Sequence, residues 1–258
     1  MNKIGLCLSG GGARGAAHIG VLQALNENGI YPDAVSGASA GSIIGALYCY
    51  GYAPKEILEF SKEEEFRKIF RLTLLTTEWK RLGLLSKLLH QYMPEDNFEN
   101  LKIPLSVCVS NLNLGAAQYI NSGKMIDFII ASCAVPLIFK PVIIDNNTYV
   151  DGGLLNNLPI EPLQQEGMKI IGVSICPHQP LEHLEGYRHI SERIFHLNVW
   201  NNVAHRLDKC DIALELEGAF NYGMFDVKQS EELYQIGYEA TMAKMTDIEK
   251  MKSLDSLN

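Results

Sequence analysis

Residues Val35 to Gly41 read Val-Ser-Gly-Ala-Ser-Ala-Gly, and no other stretch limits the fold so sharply. Gly37-x-Ser39-x-Gly41 has the spacing of a nucleophile elbow, a serine on a tight turn between a strand and a helix with its hydroxyl presented outward. The turn needs small neighbours, because a side chain at Gly37 or Gly41 would collide with the backbone that approaches it. The positions flanking Ser39 are all Gly or Ala. Asp33-Ala34-Val35-Ser36 reads as a short buried strand before the turn, and Ser42 to Tyr48 as a helix after it. A packing contact between small residues would use the same letters, so the motif alone leaves catalysis and packing both open.

The residues before it set the topology. Lys3 to Leu8 is an apolar strand closed by Ser9-Gly10-Gly11-Gly12-Ala13-Arg14-Gly15, and a helix is expected from Ala16 to Asn28 with Gly29 as its stop. Strand, loop, helix, strand, elbow and helix in this order predict a parallel sheet covered on both faces. Gly10-x-Gly12-x-x-Gly15 matches the dinucleotide fingerprint, so a dinucleotide-dependent oxidoreductase using Gly10, Gly12 and Gly15 is one reading. That fingerprint asks for an acid at the end of the second strand, whereas Asp33 stands at its beginning. A Walker loop is excluded, since Ala16-Ala17 follows Gly15. The other reading is an anion-binding nest of backbone N–H groups at a helix start, which beside a nucleophilic serine is an oxyanion hole. Arg14 either adds positive charge there or is an ordinary surface or paired arginine.

Composition bounds the classes. With 258 residues, 47% apolar and 20% charged, the chain has the make-up of a soluble globular protein, expected as one domain over 1–258. A net charge of −8 argues against nucleic-acid binding. Six scattered cysteines without a C-x-x-C pair suit free thiols in a reducing compartment, with no metal site. Glycines by residue 10 come too early for a signal peptide, and no apolar run is long enough to span a membrane, so a cytoplasmic location is expected. Residues 67–87 depart from this average: Arg67, Lys68, Arg71, Lys80, Arg81 and Lys87 stand against the single acid Glu78, interleaved with leucines and Trp79. The rest of the chain holds 16 basic and 29 acidic residues, a balance of −13. The segment reads as a lid or a peripheral membrane contact, or as an amphipathic helix capping the core.

Further along, a helix from Lys55 to about Phe70, a buried strand Ile103 to Val109, and a helix Lys124 to Cys133 are expected. A hairpin is expected around Asp145-Asn146-Asn147, then a strand Met168 to Cys176, a helix Ile190 to Leu207, a strand Asp211 to Leu216, and one terminal helix Glu231 to Lys252. The second hairpin strand runs into Asp151-Gly152-Gly153. A serine hydroxyl needs a base, and the seven histidines lie mostly in polar stretches. His18, in the first turn after the glycine loop, is the hardest to set aside. Asp151 stands at a strand end before two glycines, where acids of parallel sheets gather, although Asp-Gly turns are also common. In α/β-hydrolases several elements precede the elbow and a histidine comes after the acid. Here the elbow sits on the second strand, which points away from that fold.

Gly10 to Gly15, Gly37 to Gly41 and Asp151-Gly152-Gly153, in this order, resemble the motifs of the patatin-like phospholipases. Ala131 to Pro141 resembles the family's segment between its two catalytic motifs, and Asn156-Asn157-Leu158-Pro159 resembles the stretch just after its aspartate. The resemblance covers about residues 3–177, leaving 178–258 to complete the fold. It implies a three-layer α/β/α sandwich with a mostly parallel sheet. It also implies hydrolysis of lipid or other acyl esters through an acyl-enzyme, without metal or cofactor. Ser39 would be the nucleophile and Asp151 the base of a histidine-free dyad, with the amides of Gly10, Gly11 and Gly12, supported by Arg14, as the oxyanion hole. Some members carry Asp where this chain has Ser9. A non-catalytic, lipid-binding member of the same fold is the remaining alternative.

Overall fold

The computed structural model of the chain describes residues 2–66, 79–136, 138–176, 180–181, 183–223 and 227–253. The first half holds Ile4–Leu8 (β1), Ala16–Glu27 (α1), Ala34–Ala38 (β2), Ala40–Tyr50 (α2), Pro54–Lys62 (α3), Trp79–Tyr92 (α4), Leu105–Asn111 (β3), Ala116–Ile120 (β4) and Ile126–Ser132 (α5). The second holds Val142–Ile144 (β5), Asn147–Asp151 (β6), Glu161–Gln165 (α6), Lys169–Ser174 (β7), Gly186–Leu207 (α7), Ile212–Glu215 (β8), Ser230–Ala243 (α8) and Met245–Ser253 (α9).

Parallel pairing joins β3, β2, β1, β7 and β8 in that order. Their runs are apolar on both faces, as strands covered twice must be. In β1, Ile4, Leu6 and Leu8 face the larger core with α1 and α2, while Cys7 faces a smaller one with Leu163 of α6 and Val203 and Leu207 of α7. Two cores on opposite faces of one sheet make the expected three-layer α/β/α arrangement.

β3 carries the remaining strands. β4 pairs antiparallel with residues 107–111. β2 pairs with 105–108, and β6 with 109–111. Since β4 overlaps both, β2 and β6 share the opposite edge of β3 and meet there end to end. The β5–β6 hairpin turns at Asp145 and Asn146, both at positive φ (47° and 60°), the backbone of a type I′ turn.

Several helix boundaries differ from expectation: α3 ends at Lys62, where Glu63 turns extended, and does not continue to about Phe70. α7 starts at Gly186, a turn before Ile190. The terminal helix is two, broken at Lys244. Thr241 Oγ1 donates to the Gly237 carbonyl at 2.8 Å, a back-bond that bends helices. The bend lets Met245, Ile248 and Met251 join the core that Leu233 already occupies. Residues 67–78 of the basic segment lie outside the described residues. From Trp79 onward the segment forms α4, which buries Leu85, Leu88 and Leu89 in the larger core.

Candidate active site

The meeting of β2 and β6 places the site. Ala38, the last residue of β2, sits opposite Cys108, and Asp151, the last of β6, opposite Val109. Ser39 comes directly after Ala38 and thus arrives on the neighbouring rung. Its backbone is strained, with φ 49° and ψ −121°, a conformation that persists only where surroundings enforce it. They do so here. Ser39 N–H donates to Ser132 Oγ at 2.8 Å, and Ser132 donates to the Cys108 carbonyl at 2.7 Å. Ser42 Oγ donates to the Ser39 carbonyl at 2.6 Å. A Cβ on Gly37 would lie 2.6 Å from the Gly41 carbonyl oxygen, and one on Gly41 would run into the Leu8 carbonyl. The elbow is thereby closed to anything larger than glycine at either position. Ser39 is also the N-cap of α2, whose partial positive charge faces the hydroxyl's surroundings.

Asp151 is 2% exposed. One carboxylate oxygen accepts from Gly153 N–H at 2.7 Å, within the short turn formed by Gly152, Gly153 and Leu154. Burial pushes the Asp151 pKa up to about 7, against the opposing pull of the Gly153 N–H and of the nearby Ser39 side chain. The main chain is pinned by Asp151 N–H to the Ala134 carbonyl (3.0 Å) and by Ser110 Oγ to the Asp151 carbonyl (2.9 Å).

The glycine loop lies alongside. A Cβ built on Gly10 would approach Ser39 Cβ to 2.9 Å, and one on Gly15 would approach Ala40 Cβ to the same distance. Gly10 N–H is already committed, donating to Asn157 Oδ1 at 3.1 Å. Among the described residues, the N–H groups of Gly11 and Gly12 have no acceptor. Those two N–H groups are therefore available as loop donors. Arg14, 7% exposed, reaches elsewhere: its Nε donates to the Tyr222 carbonyl at 2.8 Å, and its guanidinium lies 5.4 Å from the Phe220 ring centre. It braces the loop against residues 217–222. Beside Gly12 and Ala40 opens a narrow apolar cavity of about 30 Å³ bounded by Ile19, Ile43, Ile44 and Phe66.

His18 is not part of this cluster. It is fully buried with Nε2 2.8 Å from the Ser9 carbonyl, and desolvation lowers its pKa to about 4. Asp33 lies at the opposite end of the sheet, where Oδ2 accepts from Ile4 N–H at 2.7 Å. The loop thus has no acid beside it that could hold a ribose from the end of β2. Among the described residues there is no group of three His, Cys, Asp or Glu side chains that could hold a metal ion, and no helix long and apolar enough to cross a membrane. The described cysteines are free thiols, with Cys133 and Cys210 half-buried and the others buried.

Several residues of the site carried no role in the sequence reading: Ser132, Ser110, Asn157 and Asn202. The first and third lie inside segments quoted for their resemblance, which was the available signal. Ser110 and Asn202 had none.

The family model for patatin-like phospholipases matches residues 6–163. The chain is 33% identical over 166 residues to neuropathy target esterase sws of Drosophila persimilis, covering 61% of this chain and 12% of that one. It is 27% identical to lysophospholipase NTE1 of Kluyveromyces lactis, covering 91% of this chain and 18% of that one. Human patatin-like phospholipase domain-containing protein 6 is 30% identical over 178 residues, 66% of this chain and 13% of its own length. The chain thus spans less than a fifth of these relatives. The crystal structure of VipD from Legionella pneumophila superposes with a TM-score of 0.57 at 17% identity, over 95% of this chain and 67% of that one, a likeness of fold.

Proposed function

Because the chain belongs to the patatin-like phospholipase family, we propose that it is a serine acyl hydrolase that cleaves lipid esters with Ser39 as nucleophile and Asp151 as base. The observation that carries this is the strained elbow serine brought beside a buried carboxylate by the end-to-end meeting of β2 and β6, with burial raising the carboxylate's proton affinity toward neutral pH. Asp151 takes the hydroxyl proton as Oγ bonds to the acyl carbon. The carbonyl oxygen becomes an oxyanion held by Gly11 and Gly12 N–H. Collapse breaks the ester C–O bond, and the leaving alcohol takes the proton back from Asp151. Water then repeats the sequence on the acyl-enzyme, releasing the fatty acid and Ser39. These steps draw on no metal or cofactor.

An organophosphonate ester separates the alternatives. The expected result is stoichiometric modification of Ser39. Binding of NAD without labelling would favour the oxidoreductase, and neither result a non-catalytic lipid binder. The oxyanion role has its own test. A Cβ on Gly11 would lie 2.6 Å from Ile175 Cγ1, so Gly11→Val must move the loop. Turnover in the folded variant is expected to fall by about 10²–10³-fold, the usual cost of one oxyanion donor. Unchanged turnover would remove the loop from the mechanism.

A further inference from the structure

We infer that Asn157, held by Asn202, is the positioning residue that sets the oxyanion loop and the Asp151 turn in register with each other. The inference rests on the hydrolase reading above. Asn157 is 2% exposed, and its side-chain amide grips Gly10 twice. Oδ1 accepts from Gly10 N–H at 3.1 Å, and Nδ2 donates to the Gly10 carbonyl at 3.3 Å. Only one orientation of the amide satisfies both contacts. The Gly10 carbonyl and Gly11 N–H belong to one planar peptide and point in opposite directions. Fixing the carbonyl therefore aims the Gly11 N–H, a loop donor without a protein acceptor among the described residues. Cys176 Sγ, 3.2 Å from the same carbonyl, adds a second hold.

The other end of the link reaches the base. Asn157 N–H donates to Asn202 Oδ1 at 2.8 Å, and Asn202 Nδ2 donates to the Gly153 carbonyl at 3.0 Å. Gly153 N–H in turn donates to the Asp151 carboxylate at 2.7 Å. Asn198, one turn earlier on α7, donates to the Leu154 carbonyl at 2.7 Å. A continuous chain of hydrogen bonds thus runs from the oxyanion peptide through two asparagines to the base. Helix α7, whose sequence suggests no function, supplies its anchor.

The test measures ester turnover per active site, the sites being titrated with an organophosphonate. In Asn157→Leu, kcat per titrated site is expected to fall by about 10²-fold with KM within about threefold, the pattern of a lost transition-state contact. In Asn202→Ala, a fall of about tenfold is expected, with the acid limb of the kcat/KM profile moved to higher pH as the Gly153 hydrogen bond to Asp151 loosens. A residue that only supports the fold would lower the melting temperature and the titratable fraction while leaving kcat per titrated site unchanged, and that result overturns the inference. Should Asn157→Leu fail to fold, half-buried Asn202 decides: unchanged kcat per site with an unmoved acid limb refutes the link. A wild-type chain that the phosphonate does not modify at Ser39 refutes the hydrolase reading itself, a separate outcome.

Discussion

Ester hydrolysis by Ser39→Ala is expected to fall by about 10⁴–10⁶-fold, the scale on which a nucleophile within a catalytic unit is missed. The fold should survive. The elbow is enforced by backbone contacts that do not involve the hydroxyl: Ser132 and Ser42 bond the main chain of residue 39, and Gly37 and Gly41 leave room for it. Alanine keeps the Cβ and therefore keeps the strain at φ 49°. Glycine would relieve it, so Ser39→Gly should be equally inactive yet more stable than Ser39→Ala by roughly 1 kcal/mol. Phosphonate labelling and thermal unfolding of the two variants check both halves. Retention of more than about a tenth of wild-type turnover by Ser39→Ala would overturn the assignment.

Asp151→Asn should cost about 10²–10⁴-fold, the worth of a general base. The wild-type pH profile supplies a second reading. With its pKa near 7, Asp151 is a base only once deprotonated, so kcat/KM should rise through about pH 7 and then level off. Stability should run the opposite way. The carboxyl is harder to ionise in the folded chain than in the unfolded one, where its value is 3.8. Between about pH 4 and pH 7 the native state holds a proton that the unfolded state has lost, so stability falls as pH rises through that window. The asparagine variant carries no such charge. It should match the wild type below pH 4 and exceed it above pH 7 by a few kcal/mol, on the order expected for burying one carboxylate. Melting curves across pH 4 to 8 test the sign. A wild type no less stable than Asp151→Asn at pH 8, or a flat kcat/KM profile through neutrality, would mean that the acid is not held as described.

How much of the molecule is legible in its sequence depends on how local each feature is. Elbow, glycine loop and Asp-Gly-Gly turn are legible because each is a short backbone device with its own steric requirement, met within a few residues. The continuous apolar run of β1 and the turn residues of the β5–β6 hairpin are legible for the same reason. The return of β6 along the edge of β3 is not, because register between distant strands leaves no mark on either segment. The commitment of Gly10 N–H to Asn157 was hidden likewise: an asparagine in a loop most often serves its own turn. The break at Lys244 left no mark in the sequence pattern, where a helix-bending threonine back-bond to Gly237 lies within an otherwise regular helical run.

On the proposed mechanism, the end-to-end meeting of β2 and β6 also sets when the chain becomes active during its synthesis. Ser39 and the glycine loop are translated first. Asp151 comes only as the last residue of β6, and its hydrogen-bonded support only with Asn202 on α7. Sequential synthesis exposes the early strands well before the later ones exist. A nascent or truncated chain that stops short of Asp151 holds a serine with nothing to take its proton. Under that mechanism the chain is unarmed until most of its sheet is in place, and premature termination is expected to yield silent fragments.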